Sequence, residues 1–135
     1  MTGLDLEAVI AANRAFYDAF EARDMDAMSE VWEHSDRVVC THPGWPTLRG
    51  WGAVAGSWFA LFGGPQQVQF ILTNLRAEIE GDAAWVTVDE NLLGGPSGVT
   101  AAALNLFVRE ADAWRMVAHH ASGVAAVAEP PDVGS

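Results

Sequence analysis

The second half of the chain contains four long extended runs, and this feature most limits the folds it can adopt. The runs cover residues 66–80, 83–93, 99–110 and 114–124. Short segments typical of turns separate them, at 81–82, 94–98 and 111–112. Segments of this kind join neighbouring strands into hairpins. The pattern therefore predicts an antiparallel meander of four long strands that curls.

The first half of the chain predicts helices, because its apolar residues recur at spacings of three and four. This spacing covers residues 6–20, resumes after an N-cap at Asp24 and returns over 51–62. A short strand is predicted over 37–41, and two prolines restrict the conformation of the loop at 42–46. The order of elements indicates an α+β fold, with the helices on one face of a bent sheet.

The length of the chain predicts one domain. Half of its 135 residues are apolar, which suffices for one core but not for two. We expect the domain to cover 1–128 and a mobile tail, poor in residues that could be buried, to cover 129–135. The start of the chain shows no signal-peptide pattern, and no apolar stretch approaches the roughly 20 residues of a membrane span. We therefore expect a cytoplasmic protein.

The charge balance argues against several classes of partner. Seven arginines, no lysine and 18 carboxylates give a net charge of −11, which repels nucleic acids and anionic membranes. The lone Cys40 excludes an intrachain disulfide, and its apolar neighbours favour a buried side chain over a reactive thiol. The histidines lack metal-binding spacing and no phosphate-binding motif occurs, so we expect neither a metal nor a cofactor.

Four local motifs carry a resemblance to a known family. They are ARDMD at 22–26, THPGW at 41–45, RGW at 49–51 and WRMVAHHAS at 114–122. With the order of elements, they resemble the SnoaL-like, ketosteroid-isomerase-like branch of the nuclear-transport-factor-two-like superfamily. The resemblance implies a cone-shaped, cystatin-like fold in which a strongly curved, mainly antiparallel sheet wraps around three N-terminal helices. It implies a pocket but no single reaction, since this scaffold carries several kinds of enzyme as well as association domains.

The ketosteroid-isomerase pattern implies roles for three residues of this chain. His42 takes the position of the general-base aspartate, and a histidine can accept a proton near neutral pH. The two oxyanion-hole donors correspond to Phe16 and Asn105, so one donor is lost and the other becomes an amide. Because the loss of one donor typically costs about 10²–10³ in rate, we do not expect steroid isomerisation.

Alternation along the last strands assigns further residues, since successive side chains point to opposite faces. The resemblance places His120 and Ser122 inside the cone and His119 outside. His120 and Ser122 would then orient a carbonyl or a water, or would be hydrogen-bonded core residues. The resemblance also turns Asp89 towards the cavity, as a partner for His42 or His120. The alternative is that Asp89 lies near the end of its strand and is solvated.

Aromatic residues are the predicted walls of the pocket, and they suit an apolar or aromatic small molecule. The wall residues are Trp45, Trp51, Trp85 and Phe107. The first helix is expected to add Asn13, Phe16 and Tyr17. The alternative for Tyr17 is that it only caps the core, with its hydroxyl exposed. For Trp32 and Trp58, core filling is the preferred interpretation.

An apolar outer face of the sheet predicts a homodimer, because a monomer would expose it. Its expected members are Val86, Val88, Leu92, Thr100, Ala102, Leu104, Leu106 and Val108.

Three functions remain open from the sequence. The first is a cofactor-free acid–base isomerase, dehydratase or cyclase that uses His42, Asp89, Asn105 and His120. The second is a binding module that holds the same kind of molecule without turnover. The third is a dimeric association domain with a vestigial pocket.

Overall fold

The computed structural model describes residues 3–93 and 99–125. The helices are α1 (Gly3–Ala22), α2 (Met25–Val31) and α3 (Trp51–Phe62). The strands are β1 (Val39–Thr41), β2 (Leu48–Arg49), β3 (Gln69–Glu80), β4 (Ala83–Leu93), β5 (Thr100–Glu110) and β6 (Ala113–Gly123). The predicted tail at 129–135 and the predicted turn at 94–98 lie outside the described residues. No helix in the described ranges is both long and apolar enough to cross a bilayer.

All six strands form one mixed sheet in the order β2-β1-β6-β5-β4-β3. The predicted meander is confirmed, because β3 to β6 pair antiparallel in sequence order. β1 joins it by pairing parallel with β6. At the β3–β4 turn, Gly81 has a φ of 59°, a left-handed conformation that glycine adopts at little cost. The sheet stays open, with β2 and β3 at its edges, and the α+β prediction is confirmed.

The helices cover one face of the sheet, which we call the inner face. α1 buries Val9, Asn13, Phe16 and Tyr17, which recur at the predicted spacing of three and four. Asp24 caps α2 as predicted, by accepting a hydrogen bond from the backbone N–H of Ala27. The buried stripe packs α1 against the inner face of the sheet.

Cys40 is fully buried, as predicted. Burial raises the pKa of its thiol to about 12, so this side chain acts as a small apolar residue of the core.

The predicted orientation of β4 is wrong. Val86 lies directly opposite Asn105 in the β4–β5 ladder, and residues directly opposite each other point to the same face. Because Asn105 and Val86 are both buried, the aliphatic set of β4 faces the helices. Trp85 and Asp89 therefore lie on the outer face of the sheet, and Glu90 lies on the inner face.

The predicted orientation of β6 is also wrong beyond its midpoint, because the strand contains a β-bulge. Leu106 pairs with Ala118 and Phe107 pairs with Met116, so Val117 is an extra residue in β6. After an extra residue, each side chain of the strand points to the face opposite the one that simple alternation predicts. His119 is consequently buried on the inner face, whereas His120 and Ser122 are exposed on the outer face.

The predicted membership of the outer face of the sheet is correct on β5 and wrong on β4. Ala102 and Leu104 are exposed as expected, and the side chains of Leu106 and Val108 are partly buried on the same face. Val86 and Val88 are buried in the core instead. Leu92 lies on the inner side, where it lines a cavity.

Candidate functional site

The candidate site is a cavity of about 200 Å³ between the helices and the inner face of the sheet, here called the inner cavity. Its polar side chains are Glu90 and two histidines, His42 and His119. The other lining residues are Phe20, Pro43, Trp45, Leu61, Val68, Phe70, Leu92 and Ala101. A largely apolar cavity with a few convergent polar groups is the usual form of a small-molecule site.

Asn105, on β5, is the centre of a buried hydrogen-bond network behind the inner cavity. Its Nδ2 donates to Asn13 Oδ1 at 2.8 Å and to the Tyr17 hydroxyl at 3.2 Å. With the amide nitrogen turned this way, its Oδ1 must accept the hydrogen bond of 2.6 Å from Nδ1 of His119. All four residues are buried.

The network fixes His119 as a neutral imidazole. Burial first, and then the neighbouring His42 and His120, lower the pKa of His119 to about 3. Since Nδ1 carries the proton given to Asn105, the lone pair is on Nε2. Because His119 lines the inner cavity, this acceptor is the ring nitrogen left for a ligand.

Glu90, on β4, is the acidic group of the inner cavity. The Tyr17 hydroxyl donates a hydrogen bond of 2.5 Å to its Oε2. Only 3% of Glu90 is exposed, and burial raises the pKa of its carboxyl to about 7 even though the bond from Tyr17 lowers it. Burial and the charge of Glu90 also raise the pKa of Tyr17. Glu90 can therefore exchange a proton near neutral pH.

His42 follows β1 and contacts α3 through Ser57. The Ser57 hydroxyl donates to the Val54 carbonyl at 2.7 Å, so its oxygen accepts the bond of 2.9 Å from His42 Nε2. The lone pair of His42 is then on Nδ1, 4.0 Å from Cys40 Sγ. Burial lowers the pKa of His42 to about 4, so this ring is also neutral.

Some of the predicted site residues meet at the inner cavity. His42 and Trp45 line it, and their rings contact each other edge to face with centroids 4.9 Å apart. Asn13, Tyr17 and Asn105 lie behind it in the network described above.

Other predicted residues lie elsewhere. Phe16 and Phe107 are fully buried core residues, and Phe16 packs against the His119 ring with centroids 4.7 Å apart. Trp51 stacks on His34 at 4.4 Å, away from the cavity. Trp85 and Ser122 are exposed on the outer face.

Asp89 and His120 do share a site, but on the outer face. Both line a hollow of about 270 Å³ there, and Asn74 donates to Asp89 Oδ2 at 2.7 Å. Their predicted orientation towards the inner cavity is wrong, for the reasons of register and bulge given above.

Sequence reasoning missed Glu90 and His119 as residues of the inner cavity. For Glu90 a signal existed, since it is the one carboxylate in a stripe that otherwise contains Ala84, Val86 and Val88. A charged residue in an aliphatic stripe is a candidate for a buried functional group. For His119 no comparable signal exists, because the bulge at Val117 decides which histidine of the pair points inward.

The described residues contain no group of three or more histidine, cysteine, aspartate or glutamate side chains arranged to hold a metal ion.

Comparison with known proteins identifies the family. The model of the SnoaL-like domain family matches residues 9–127. The chain belongs to this family. The nuclear-transport-factor-two-like fold expected from the motifs is also confirmed, since a structural neighbour from Streptomyces avermitilis of that fold family superposes on it with a TM-score of 0.83. That neighbour is provisionally named a dehydratase and is 38% identical, with 91% of this chain and 98% of that chain covered.

Two other relatives carry different names. A protein from Thiobacillus denitrificans, provisionally named a calcium/calmodulin-dependent protein kinase type II association domain, is 40% identical. The superposition covers 85% of this chain and 94% of that chain, with a TM-score of 0.78. F-box protein SKIP8 of Arabidopsis thaliana is 34% identical over 117 residues, or 85% of this chain. The match covers 49% of that protein, so this SnoaL-like chain spans about half the length of the curated relative it matches.

Proposed function

We propose that the chain is a cofactor-independent acid–base enzyme that acts on a small, neutral, ring-containing molecule bound in the inner cavity. The observation that carries this proposal is Glu90, a buried carboxyl that lines an apolar cavity and has a pKa of about 7. A group with this pKa both takes and returns a proton at neutral pH. Neither His42 nor His119 does so there, since burial keeps both rings neutral.

The size of the cavity limits the ligand. A cavity of about 150 Å³ holds a benzene molecule, and the inner cavity has about 200 Å³. A single substituted ring fits this space, whereas a steroid does not. Trp45, Phe20 and Phe70 supply flat aromatic surface for such a ring.

Hydrogen-bond roles limit the ligand further. His119 offers a lone pair to the cavity, and ionised Glu90 also accepts hydrogen bonds. The ligand must therefore bring its own donor, such as a hydroxyl group. We propose that ionised Glu90 removes a proton from a carbon beside a carbonyl group of this ligand, so that the electron pair of the C–H bond forms an enolate, while His119 accepts a hydrogen bond from the hydroxyl. The Glu90 carboxylic acid then returns the proton to another carbon of the enolate, as in an isomerase, or to a departing hydroxyl that leaves as water, as in a dehydratase. Asn105 and Tyr17 act as positioning residues for these two groups.

A thermal-shift screen followed by a deuterium-exchange measurement tests this function. Neutral single-ring alcohols and ketones are expected to stabilise the protein more than sugar phosphates and nucleotides, because the chain has a net charge of −11. Mass spectrometry should then show that the protein exchanges a carbon-bound hydrogen of the bound compound in D₂O.

The control variants are Glu90→Gln and Asp89→Asn, which change adjacent carboxylates on opposite faces. Glu90→Gln should abolish the exchange and Asp89→Asn should preserve it. If compounds bind but none of them exchanges a carbon-bound hydrogen, the proposed enzymatic activity is contradicted and a module that binds without turnover is supported. Stabilisation by the anionic compounds alone would contradict the ligand class.

Self-association is the second candidate function, and the outer face of the sheet favours it. Trp85 and Leu104 are exposed on adjacent strands there, and one 40% identical relative carries the name of an association domain. We propose a homodimer that forms through this face. We also propose that the protein is located in the cytoplasm. Light scattering at micromolar concentration should give twice the 14.4 kDa chain mass, and Leu104→Asp should give the monomer. A monomeric unmodified protein would rule out this interface.

A further inference from the structure

A second cavity, of about 150 Å³, lies between α1 and β3. We call it the side cavity. It is lined by Ile10, Asn13, Arg14, Leu72 and Leu75, and none of them lines the inner cavity. The β-bulge between Thr73 and Arg76 explains why Leu72 and Leu75, three residues apart on one strand, reach the same space.

Asn13, which lines the side cavity, has a buried donor without a partner in the described part of the chain. Only 1% of this residue is exposed, and its Oδ1 accepts the hydrogen bond from Asn105. Its Nδ2 has no hydrogen-bond partner among the residues that the structure describes. A buried donor without a partner is destabilising, so an acceptor at this place lowers the free energy of the folded state.

Arg14 brings a positive charge to the same place. Within residues 3–93 and 99–125, its guanidinium forms no ion pair within 4.0 Å, and Asp18, one helical turn away, does not reach it. A guanidinium presents several N–H donors in a plane that matches a carboxylate. The remaining walls, Ile10, Leu72 and Leu75, are aliphatic.

We propose that the side cavity binds a small monocarboxylate with a branched aliphatic body. One carboxylate oxygen accepts from Asn13 Nδ2 and the other pairs with Arg14, while the aliphatic body packs against Ile10, Leu72 and Leu75. The volume limits the ligand to about the size of benzene. Phosphate esters and dicarboxylates are disfavoured, because Arg14 is the one cation lining the cavity and the chain as a whole is strongly acidic.

Solution NMR with isovalerate as the probe tests this site. On ¹⁵N-labelled protein, isovalerate should shift the signals of the Asn13 side-chain amide and the Arg14 guanidinium in a saturable way at millimolar concentration. Isovaleramide has the same shape without the charge, and it should bind the unmodified protein at least about three-fold more weakly than isovalerate does. The Arg14→Gln variant should likewise bind isovalerate at least about three-fold more weakly than the unmodified protein does. Arg14 is an exposed residue, so this variant is expected to fold.

Two further variants locate the effect. Arg49→Gln removes another exposed arginine, one that does not line the side cavity, and should leave the affinity for isovalerate unchanged. Glu90→Gln should also leave it unchanged, so that this site stands or falls separately from the enzyme proposed for the inner cavity. Equal affinities for the acid and the amide, or no saturable shift of either signal, would overturn the carboxylate site and leave water as the partner of Asn13 Nδ2.

Discussion

The two faces of the sheet carry nearly the same polar residues and put them in opposite environments. Glu90 and His119 are buried on the inner face, whereas their sequence neighbours Asp89 and His120 line a hollow on the outer face. Inside, burial raises the pKa of an acid and lowers the pKa of a base, which moves both towards their neutral forms. The chemistry of this protein therefore depends more on the face that a residue occupies than on the type of residue.

The strongest test of this comparison uses two asparagines that each form three side-chain hydrogen bonds. Asn105 bonds within the buried network, and Asn91 bonds to Ile71, Thr73 and Thr100 near the solvent. Asn105→Leu should lower the free energy of unfolding by at least about 3 kcal/mol, because buried partners are left unsatisfied.

Asn91→Leu is the matched control and should cost about 1 kcal/mol or less, since water replaces the lost partners. Urea denaturation measures both values. Failure of Asn105→Leu to fold while Asn91→Leu folds would agree with the expectation. Equal costs would show that the inner network contributes no more than the outer one.

The next test concerns the two adjacent carboxylates at alkaline pH. The folded-state pKa of Glu90, about 7, lies above its ordinary value of 4.5. The folded state therefore holds this proton more tightly, and the contribution of Glu90 to stability falls as the pH rises from about 4.5 through 7. Glu90→Gln has no carboxyl to ionise and should therefore be more stable than the unmodified protein at pH 9. The free energy of unfolding of the variant minus that of the unmodified protein should be larger at pH 9 than at pH 4, by on the order of 3 kcal/mol.

Asp89→Asn is the control for this pH dependence, because Asp89 lies on the outer face. Its effect on the free energy of unfolding should stay within about 0.5 kcal/mol at both pH values. Thermal unfolding across the pH range gives the comparison. A flat difference between Glu90→Gln and the unmodified protein would show that Glu90 is ionised in the fold without penalty.

The adjacent histidines test the acid side. The pKa of His119 falls from 6.5 to about 3 on folding, so the unfolded state binds a proton first as the pH drops. The contribution of His119 to stability is complete above pH 6.5 and is lost progressively below it, in the same direction as that of His42 and opposite to that of Glu90. Between pH 7 and pH 5 this loss should amount to about 2 kcal/mol, and His119→Gln should remove it.

His120→Gln should retain that loss, because His120 is exposed on the outer face. The measured quantity is the change in the free energy of unfolding between the two pH values, which separates titration from any change in packing. If His120→Gln removed the acid sensitivity and His119→Gln did not, the assignment of faces after the bulge would be wrong.

Periodicity in the sequence predicted the elements far better than the site. α3 begins and ends at the predicted residues, and β4 covers its predicted range, because apolar spacing and turn residues are local signals. The face that a strand residue occupies depends on register and bulges, which the partner strand determines. The family resemblance predicted that Asp89 and Asn105 point to the same side of the sheet. Asp89 instead pairs with Ala102, whose side chain points to the face opposite that of Asn105.

A smaller effect is expected from two serines, Ser57 on the buried side of α3 and Ser122 on the outer face of the sheet. Ser57→Ala removes the acceptor of the His42 Nε2–H and should cost about 1–2 kcal/mol in unfolding free energy. Ser122→Ala should stay within about 0.5 kcal/mol, because Ser122 is exposed.

The imidazole signals of His42 distinguish a lost hydrogen bond from a mere packing defect. In the unmodified protein the bond to Ser57 requires the proton on Nε2, so ¹⁵N NMR should show a single tautomer. In Ser57→Ala that constraint is gone, and Nδ1 should take up part of the proton, with its ¹⁵N signal moving accordingly. Ser122→Ala should leave both ring nitrogens unchanged. A Ser57→Ala protein that keeps the Nε2–H tautomer would show that Cys40 or the cavity walls, and not Ser57, set the orientation of this histidine.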